Sequence, residues 1–536
     1  MKTNYWNYPL ITGGIMFKNI LIAILLMGLF YQPVYSAMIT RHDDRPAKEY
    51  IILGSPTETS VTLSVHAIKV SRITIQYGEQ PGIYNKVTES FSSSDGYPIV
   101  ALIKNLIPDR RYYYRIQYWR DGQSSSQKGG EYSFQTARSK GSTFSFGVQG
   151  DSHPERATKM FNKELYIKTM NLVAEERPDF YIMMGDDFSL DRLISRNTFT
   201  QKTVDEKYYT QRNQFLNLIG HSTALFLVNG NHEHASKLSF GTKYHNVPLF
   251  AANARNKFFS LPAPDDFYSG DLEVIEGVDG DGLLRDYYAW TWGDALFVTI
   301  DPYWHSPVYV DGGPGKNTPK NTWDASIGDA QYAWLKKTLE ESDARYKFIF
   351  SHHVNGTGRG AAKMAHSTEW GGYNRSGTNW EFDKYRPDWK LPIHQLMVKN
   401  NVTIIFQGHD HIYSREMLDG IVYQSVPNPA DNTYTPFNCS SYDTDRITFP
   451  GASYNPDYGV VFPNSGYLNV TVSPDQVRVD YIRSFLPKDE VSGHVNGELA
   501  YSYKLPTEEG EKGIDFVCPP SAPNERGKGK GKKGKK

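Results

Sequence analysis

Cysteine is almost missing from this chain. Cys439 and Cys518 are the only two among 536 residues, and both lie late. A thiolate zinc site is therefore excluded at the motifs described below, none of which has a cysteine near it. In an oxidising compartment the two thiols can pair, provided their Cα atoms come close enough. Two free thiols are the alternative. Charge of one sign is lacking as well: 58 Lys and Arg stand against 59 Asp and Glu, for a formal net charge of -1. That balance conceals an uneven distribution. The tail "RGKGKGKKGKK" (526–536) carries one Arg and six Lys, which leaves a mildly acidic body. No internal repeat is present. "GTGRG" (356–360) matches no P-loop spacing, and no helix is expected after it.

Long apolar runs are also scarce. The run at 20–30 is too short for a comfortable membrane span. It belongs to "MFKNILIAILLMGLFYQPVYSA", which has Lys18 ahead of the apolar stretch and Val34 and Ser36 before Ala37. These are the parts of a cleavable export signal over 1–36, with Met16 as a possible working start. The expected location is secreted or periplasmic. An uncleaved anchor helix is the competing reading, and the absence of cysteine there argues against a lipoprotein anchor. The basic tail (519–536) cannot bury apolar surface and is expected to be disordered. It suits contact with an anionic polymer or surface, or simple solubilisation. No specific nucleic-acid module is recognised, and the oligomeric state is not legible.

What the chain does have is length and pattern. Hydrophobic residues make up 39% and charged residues 22%, ordinary for globular domains and enough for a large core. After a linker at 37–48, the stretch 49–137 reads as short alternating strands ("EYIILGSPTETSVTLSVHA", "RRYYYRIQYWRDGQ", "GGEYSFQTA"). Their spacing predicts a small β-sandwich. After "RSKGS" the rhythm changes. Over 143–505, strands such as "TFSFGVQGD", "DFYIMMGDD" and "YKFIFSHHVNG" alternate with helices such as "KMFNKELYIKTMNLVAEERP" and "DAQYAWLKKTLEES". This predicts an α/β layered domain. "DYYAWTWGDALFVTID" reads as a hairpin around Gly293-Asp294. The stretches 236–286 and 303–322 read as long irregular loops, of the kind that form lids or insertions.

Five of the apolar strands end in metal-ligand residue types. The ends are "GDSH" (Asp151, His153), "GDD" (Asp186, Asp187), "GNHEH" (Asn231, His232, Glu233, His234), "SHH" (His352, His353) and "GHDH" (His409, His411). Any one of them passes as a polar loop after a core strand. All five in succession do not, because ligands in α/β folds gather beyond the carboxyl ends of strands. Aspartate oxygen and histidine nitrogen suit first-row divalent or trivalent ions. A carboxylate can bridge two ions, and a two-ion site can hold both oxygens of an in-line phosphoryl displacement.

The ordered set Asp-x-His, Gly-Asp, Gly-Asn-His-Glu, strand-end His and Gly-His-x-His resembles the calcineurin-like metallophosphoesterase superfamily. The segment 49–137 is similar to the fibronectin-III-like domain that precedes the catalytic domain of purple acid phosphatases. The resemblance implies a four-layer metallophosphoesterase β-sandwich flanked by helices, after a small all-β sandwich. It also implies two metal ions per chain, drawn from Fe, Mn or Zn. Asp151, His153 and His411 would bind the first ion, Asn231, His352 and His409 the second, and Asp186 would bridge them. His232 would act near the leaving group. His352 takes the ligand role because it directly follows "FIFS", which leaves His353 for the substrate pocket. The chain departs from the purple group at His153, where that group has Gly, and at Ser189, where it has a metal-binding Tyr. The charge-transfer colour of that group is therefore not expected.

The implied activity is hydrolysis of phosphate monoesters by a metal-bridged hydroxide. A phosphodiesterase or nucleotidase using the same ions is the first alternative. A non-catalytic polymer-binding protein and a hydrolase of non-phosphate esters are the others. Asp187, Asp191 and His234 are candidates for orienting the ligands. His305, Arg359 and His366 are candidates for substrate contact from the flanking loops, although an ordinary exposed residue is the first reading of each of these candidates.

Overall fold

In the segment RYYYRIQYWR (Arg111–Arg120), Tyr112, Tyr114, Ile116 and Tyr118 are buried and their neighbours only partly so. That period of two marks a strand with one face on a core. The computed structural model describes residues 49–506 except 94–96, 121–123, 158, 311–320, 354–359 and 437–458. The export signal, the Asp121-Gly122 turn, Arg359, Cys439, Cys518 and the basic tail lie outside the described residues. Among the described residues, no helix is long and apolar enough to cross a membrane.

The N-terminal region is all β. One sheet has the order β1-β2-β5, from β1 (Glu49–Gly54), β2 (Val61–Ala67) and β5 (Ile99–Ile103). The other contains β3 (Val70–Gly78), β4 (Lys86–Val87), β6 (Arg111–Arg120), β7 (Ser126–Lys128) and β8 (Tyr132–Gln135).

Two larger sheets follow. The first has the order β11-β10-β9-β20-β21-β22. Its strands β9 (Phe144–Gln149), β10 (Phe180–Met183) and β11 (Ala224–Leu227) run parallel. The antiparallel β20 (Gly466–Val472), β21 (Val477–Arg483) and β22 (Leu499–Leu505) extend it. The second has the order β12-β13-β14-β15-β16-β18-β17-β19. It comprises β12 (Ser269–Gly270), β13 (Tyr288–Trp292), β14 (Ala295–Thr299), β15 (Tyr346–Ser351), β16 (Ile404–Gln407), β17 (Tyr413–Leu418), β18 (Ile421–Ser425) and β19 (Val460–Phe462). The hairpin expected around Gly293 is β13–β14, while β14, β15, β16 and β18 are parallel.

Aromatic rings join the two sheets face to face. Phe146 and Phe180 of the first lie 5.1 and 5.0 Å from Phe297 of the second, and Phe226 stacks on Trp290 at 4.1 Å. Rings at these separations contribute contact energy beyond their buried area. Helices cover both outer faces. Tyr166 and Met170 of α1 (Lys163–Glu176), Val204 and Tyr208 of α2 (Gln201–Gln211) and Val247 and Ala251 of α3 (Val247–Phe258) pack with Tyr181 and Leu225. On the other side, Leu335 and Leu339 of α4 (Asp329–Glu341) and Ile393 and Leu396 of α5 (Ile393–Lys399) pack with Val298, Ile349 and Ile405. The result is the four-layer α/β/β/α arrangement.

The structure corrects three local expectations. Helix α1 begins at Lys163 because the Asn162 side chain accepts from the Leu165 N–H and caps it there. The loop expected over 236–286 contains α3, whose start is pre-set by Pro248 in its first turn. A single helical turn, Ala361–Met364, does follow Gly360. The Gly360 N–H, however, is donated to Asp410 Oδ2 at 2.9 Å.

The all-β region meets the α/β layers along a seam centred on Arg212. This guanidinium is fully buried and donates to the carbonyls of Tyr50, Ser64 and Phe258 and to Asn213 Oδ1. Two histidines lie along the seam. His66 lies against the Tyr209 ring at 5.0 Å, and His221 lies 4.5 Å from the Tyr132 ring. Burial, helped for His66 by Arg212 and Lys257, pushes both down to about 4.

Two outcomes are expected. Phe297→Ala should cost about 3–5 kcal/mol of stability, read as a lowered urea midpoint. Each seam histidine is neutral when folded but protonates near its ordinary value when unfolded. Stability is therefore complete above about pH 6.5 and declines as the pH falls towards 4. Urea midpoints at pH 7.5 and 5 should differ less in His66→Gln/His221→Gln than in the parent chain.

Candidate metal centre

Each candidate ligand sits just beyond the carboxyl end of a parallel strand. Asp151 and His153 follow β9, Asp186 follows β10, and Asn231 and His232 follow β11. His352 and His353 follow β15, and His409 and His411 follow β16. These strands are neighbours within their own sheets, so the sandwich brings five ends to one place.

Close convergence explains the glycines of the motifs. A Cβ on Gly408 would lie 2.7 Å from Asp151 Oδ1 and 2.9 Å from His352 Nδ1. A Cβ on Gly230 would collide with Asp186 Oδ1. The backbone is also turned sharply inward. His153, Asp186, His409 and His411 all have left-handed φ, at 49°, 61°, 66° and 51°. Such residues cost on the order of 1–3 kcal/mol each and persist where the surroundings hold them.

The side chains form overlapping clusters. Asp151, His153 and His411 each offer a ligand atom within 4.8 Å of the others, as do Asp151, Asp186 and His352, and also His153, Asp186 and His232. Asp151 Oδ2 is 2.8 Å from His411 Nε2, whose neighbour at 3.0 Å is His153 Nε2. Asn231 Oδ1 is 3.2 Å from His352 Nε2. Asp151 Oδ1 accepts the His409 N–H at 2.8 Å. His353 joins His352 and His409 in a further cluster; its ring lies 3.7 Å from that of His409, and its Nδ1 meets the Tyr303 hydroxyl.

Ring orientation is set from behind. His352 Nδ1–H donates to Met184 O at 2.6 Å, and a carbonyl can only accept, so Nε2 is the nitrogen turned inward. His153 Nδ1–H donates to Glu155 Oε1 at 2.9 Å in the same way. Outer partners of this kind orient metal-binding imidazoles. Asp191 bridges His232 Nδ1 and His234 Nε2, both at 2.7 Å. Glu233 accepts the backbone N–H groups of Gly230, Asp186 and Phe188 and so ties two motifs together. Asp187 differs from its expected role: it accepts from Ser152 and Gln149 rather than from a ligand.

The donor set fits cations. Asp186 Oδ2 is buried without a hydrogen-bond partner, and His352, His153 and His232 place Nε2 at 3.3, 3.6 and 3.8 Å from it. Burial alone would raise Asp151 and Asp186, but the surrounding histidines outweigh it and hold both well below the carboxylate range. Burial would conversely lower His153 and His352. Asp151 and Glu155 push His153 up to about 10, and Asp186 and Asp151 do the same for His352. The site thus demands positive charge, which ions would supply as readily as protons.

Arg156 and Glu155 have no counterpart in the sequence expectations. Arg156 Nη2 lies 2.9 Å from His232 Nε2, and the Arg156 side chain is 27% exposed at the mouth. Their position directly after the Asp-Ser-His motif was the one available signal. His305 lies in a separate acidic cluster rather than with these ligands.

A family model described as calcineurin-like phosphoesterase matches residues 144–413. A solved structure of PhoD is 13% identical with a TM-score of 0.56, covering 85% of this chain and 89% of its own. That likeness is one of fold. GAP50, the anchor in the inner membrane complex of Plasmodium, is 12% identical with a TM-score of 0.32, covering 69% of this chain and 91% of its own. No curated protein matches the sequence.

Gly408→Ala should displace Asp151 and His352. Metal content of the purified protein, measured by mass spectrometry, should fall at least severalfold, with an unchanged far-ultraviolet circular dichroism spectrum.

Proposed function

The chain belongs to the calcineurin-like phosphoesterase family and is a metal-dependent phosphoester hydrolase, and from that premise we propose that it is an exported phosphatase acting on phosphate monoesters. Asp151, His153 and His411 would hold one ion, Asn231, His352 and His409 a second, with Asp186 between them. The ions would be of the Fe, Mn or Zn type, which the Asp, Asn and His donors accept. Bound there, they would supply Lewis-acid polarisation of the phosphoryl group and lower the pKa of water.

The chain's own contribution centres on His232. Burial would lower it, but Asp186 and Asp191 outweigh that and raise it above its ordinary value. Asp191 fixes the ring through Nδ1, and Nε2 accepts from the Arg156 guanidinium; with Arg156 turned to the phosphate, Nε2 would take up a proton and give it to the departing alcohol oxygen. The monoester reading rests on Arg156. Its guanidinium beside His232 adds a positive charge where a terminal phosphate dianion would lie, and a diester has one charge fewer to meet it. The all-β region at 49–137 is read as an accessory module of fibronectin-III type, the segment at 1–36 as the export signal, and the basic tail as a contact for an anionic surface.

Asn231→Ala or His409→Ala should lower kcat/KM for p-nitrophenyl phosphate by on the order of 10³-fold without unfolding the protein. Retained turnover would overturn the site. Arg156→Ala should cost about 10–100-fold on the monoester and much less on bis-p-nitrophenyl phosphate. Faster hydrolysis of the bis-ester by the parent chain would favour the phosphodiesterase reading.

A further inference from the structure

A second group of metal-ligand residues lies outside the five motifs, at one corner of the larger sheet. Asp271 follows β12, Asp286 precedes β13, and Asp301 and His305 follow β14. Antiparallel pairing of these strands puts the four positions side by side. Asp271, Asp286 and Asp301 are buried.

One oxygen of each acid accepts a backbone N–H, from Glu273 for Asp271, Tyr287 for Asp286 and Trp304 for Asp301. Asp271 Oδ2, Asp286 Oδ2, Asp301 Oδ1 and His305 Nε2 are all buried without a hydrogen-bond partner. His305 Nε2 stands 3.7 Å from Asp271 Oδ2 and 3.8 Å from Asp286 Oδ2. Those gaps are too long for hydrogen bonds, which close to about 2.7–3.2 Å. They suit two ligands sharing one ion, whose donor atoms stand about 3–4 Å apart when each bond is about 2.1 Å. Glu273, about half exposed, brings a further carboxylate within 4.8 Å of Asp271 and His305. The nearby Arg255 donates to the carbonyls of Leu227 and Arg285 rather than to these acids. Burial, together with Asp301 and Asp271, pushes Asp286 well above the ordinary carboxylate range. Several carboxylates confined out of water without a matched cation are costly.

We infer that Asp271, Asp286 and His305, with Glu273 at the rim, form a separate site for one divalent cation. The mixed imidazole and carboxylate donors select a first-row ion such as Zn²⁺ or Mn²⁺. The ion would brace the 301–305 loop. Tyr303, on that loop, bonds His353 behind the metal centre. The site would therefore stiffen one wall of the catalytic pocket without touching substrate.

The test is anomalous diffraction from crystals of the intact chain equilibrated with Zn²⁺ or Mn²⁺, alongside metal counting after dialysis against about 10 μM of the same ion. A peak bounded by Asp271, Asp286 and His305 is expected, with three ions per chain falling by one in Asp286→Asn/His305→Ala. Should that variant fail to fold, His305→Gln serves for the count, and the peak in the parent chain does not depend on either. No peak at this corner, or a metal count unchanged by the substitutions, would overturn the inference. Because peaks at this corner and at the five strand ends are read separately, failure here leaves the phosphatase reading intact, and failure there leaves this one.

Discussion

Buried negative charge is the constraint on which this architecture turns. Asp151 and Asp186 sit at 0% and 1% exposure. Stripping a carboxylate of water costs several kcal/mol even after relaxation, unless opposite charge stands within contact distance. Every neighbouring feature serves that requirement. Imidazole nitrogens surround the two acids, glycines let the strand ends converge, and left-handed residues turn the side chains inward. The aromatic layer around Phe146, Phe180 and Phe297 keeps the sheets in register, so the five ends meet rather than splay.

The groups behind the ligands show how such a site is held. Met184 O and Glu155 fix two imidazoles, Asp191 fixes two more, and Glu233 binds three backbone N–H groups. None of these makes the site by itself, yet each removes a rotation that would misdirect a donor. The same economy recurs at the corner formed by Asp271, Asp286 and His305. There too, adjacent strands deliver acids and one imidazole into a dry space. Tyr303 connects the two places through His353.

The seam around Arg212 works in the opposite sense, with a buried cation surrounded by carbonyls. It makes the all-β region and the α/β layers share a single interior, along with His66 and His221. Burial pushes both histidines well below their ordinary value, so protonating them in acid would work against this contact.

Much of this was legible in the chain itself. Alternation in "RRYYYRIQYW" and apolar runs such as "FIFS" and "IIFQ" determine strands, because burial on one face or two is a local pattern. The ligand types and their place at strand ends are likewise local, and the donor inventory from Asp151 to His411 could be read in order. Helix α3 was not legible, since its inward-facing alanines and buried Arg255 and Asn253 give a weak period. Only the tertiary structure decided which imidazole nitrogen faces inward, that Arg156 stands beside His232, and that His305 joins Asp271 and Asp286. The reason is distance along the chain. His352 takes its orientation from a carbonyl 168 residues away, and His411 reaches Asp151 across 260. No window of sequence contains both partners, so those contacts exist only once the two sheets have packed.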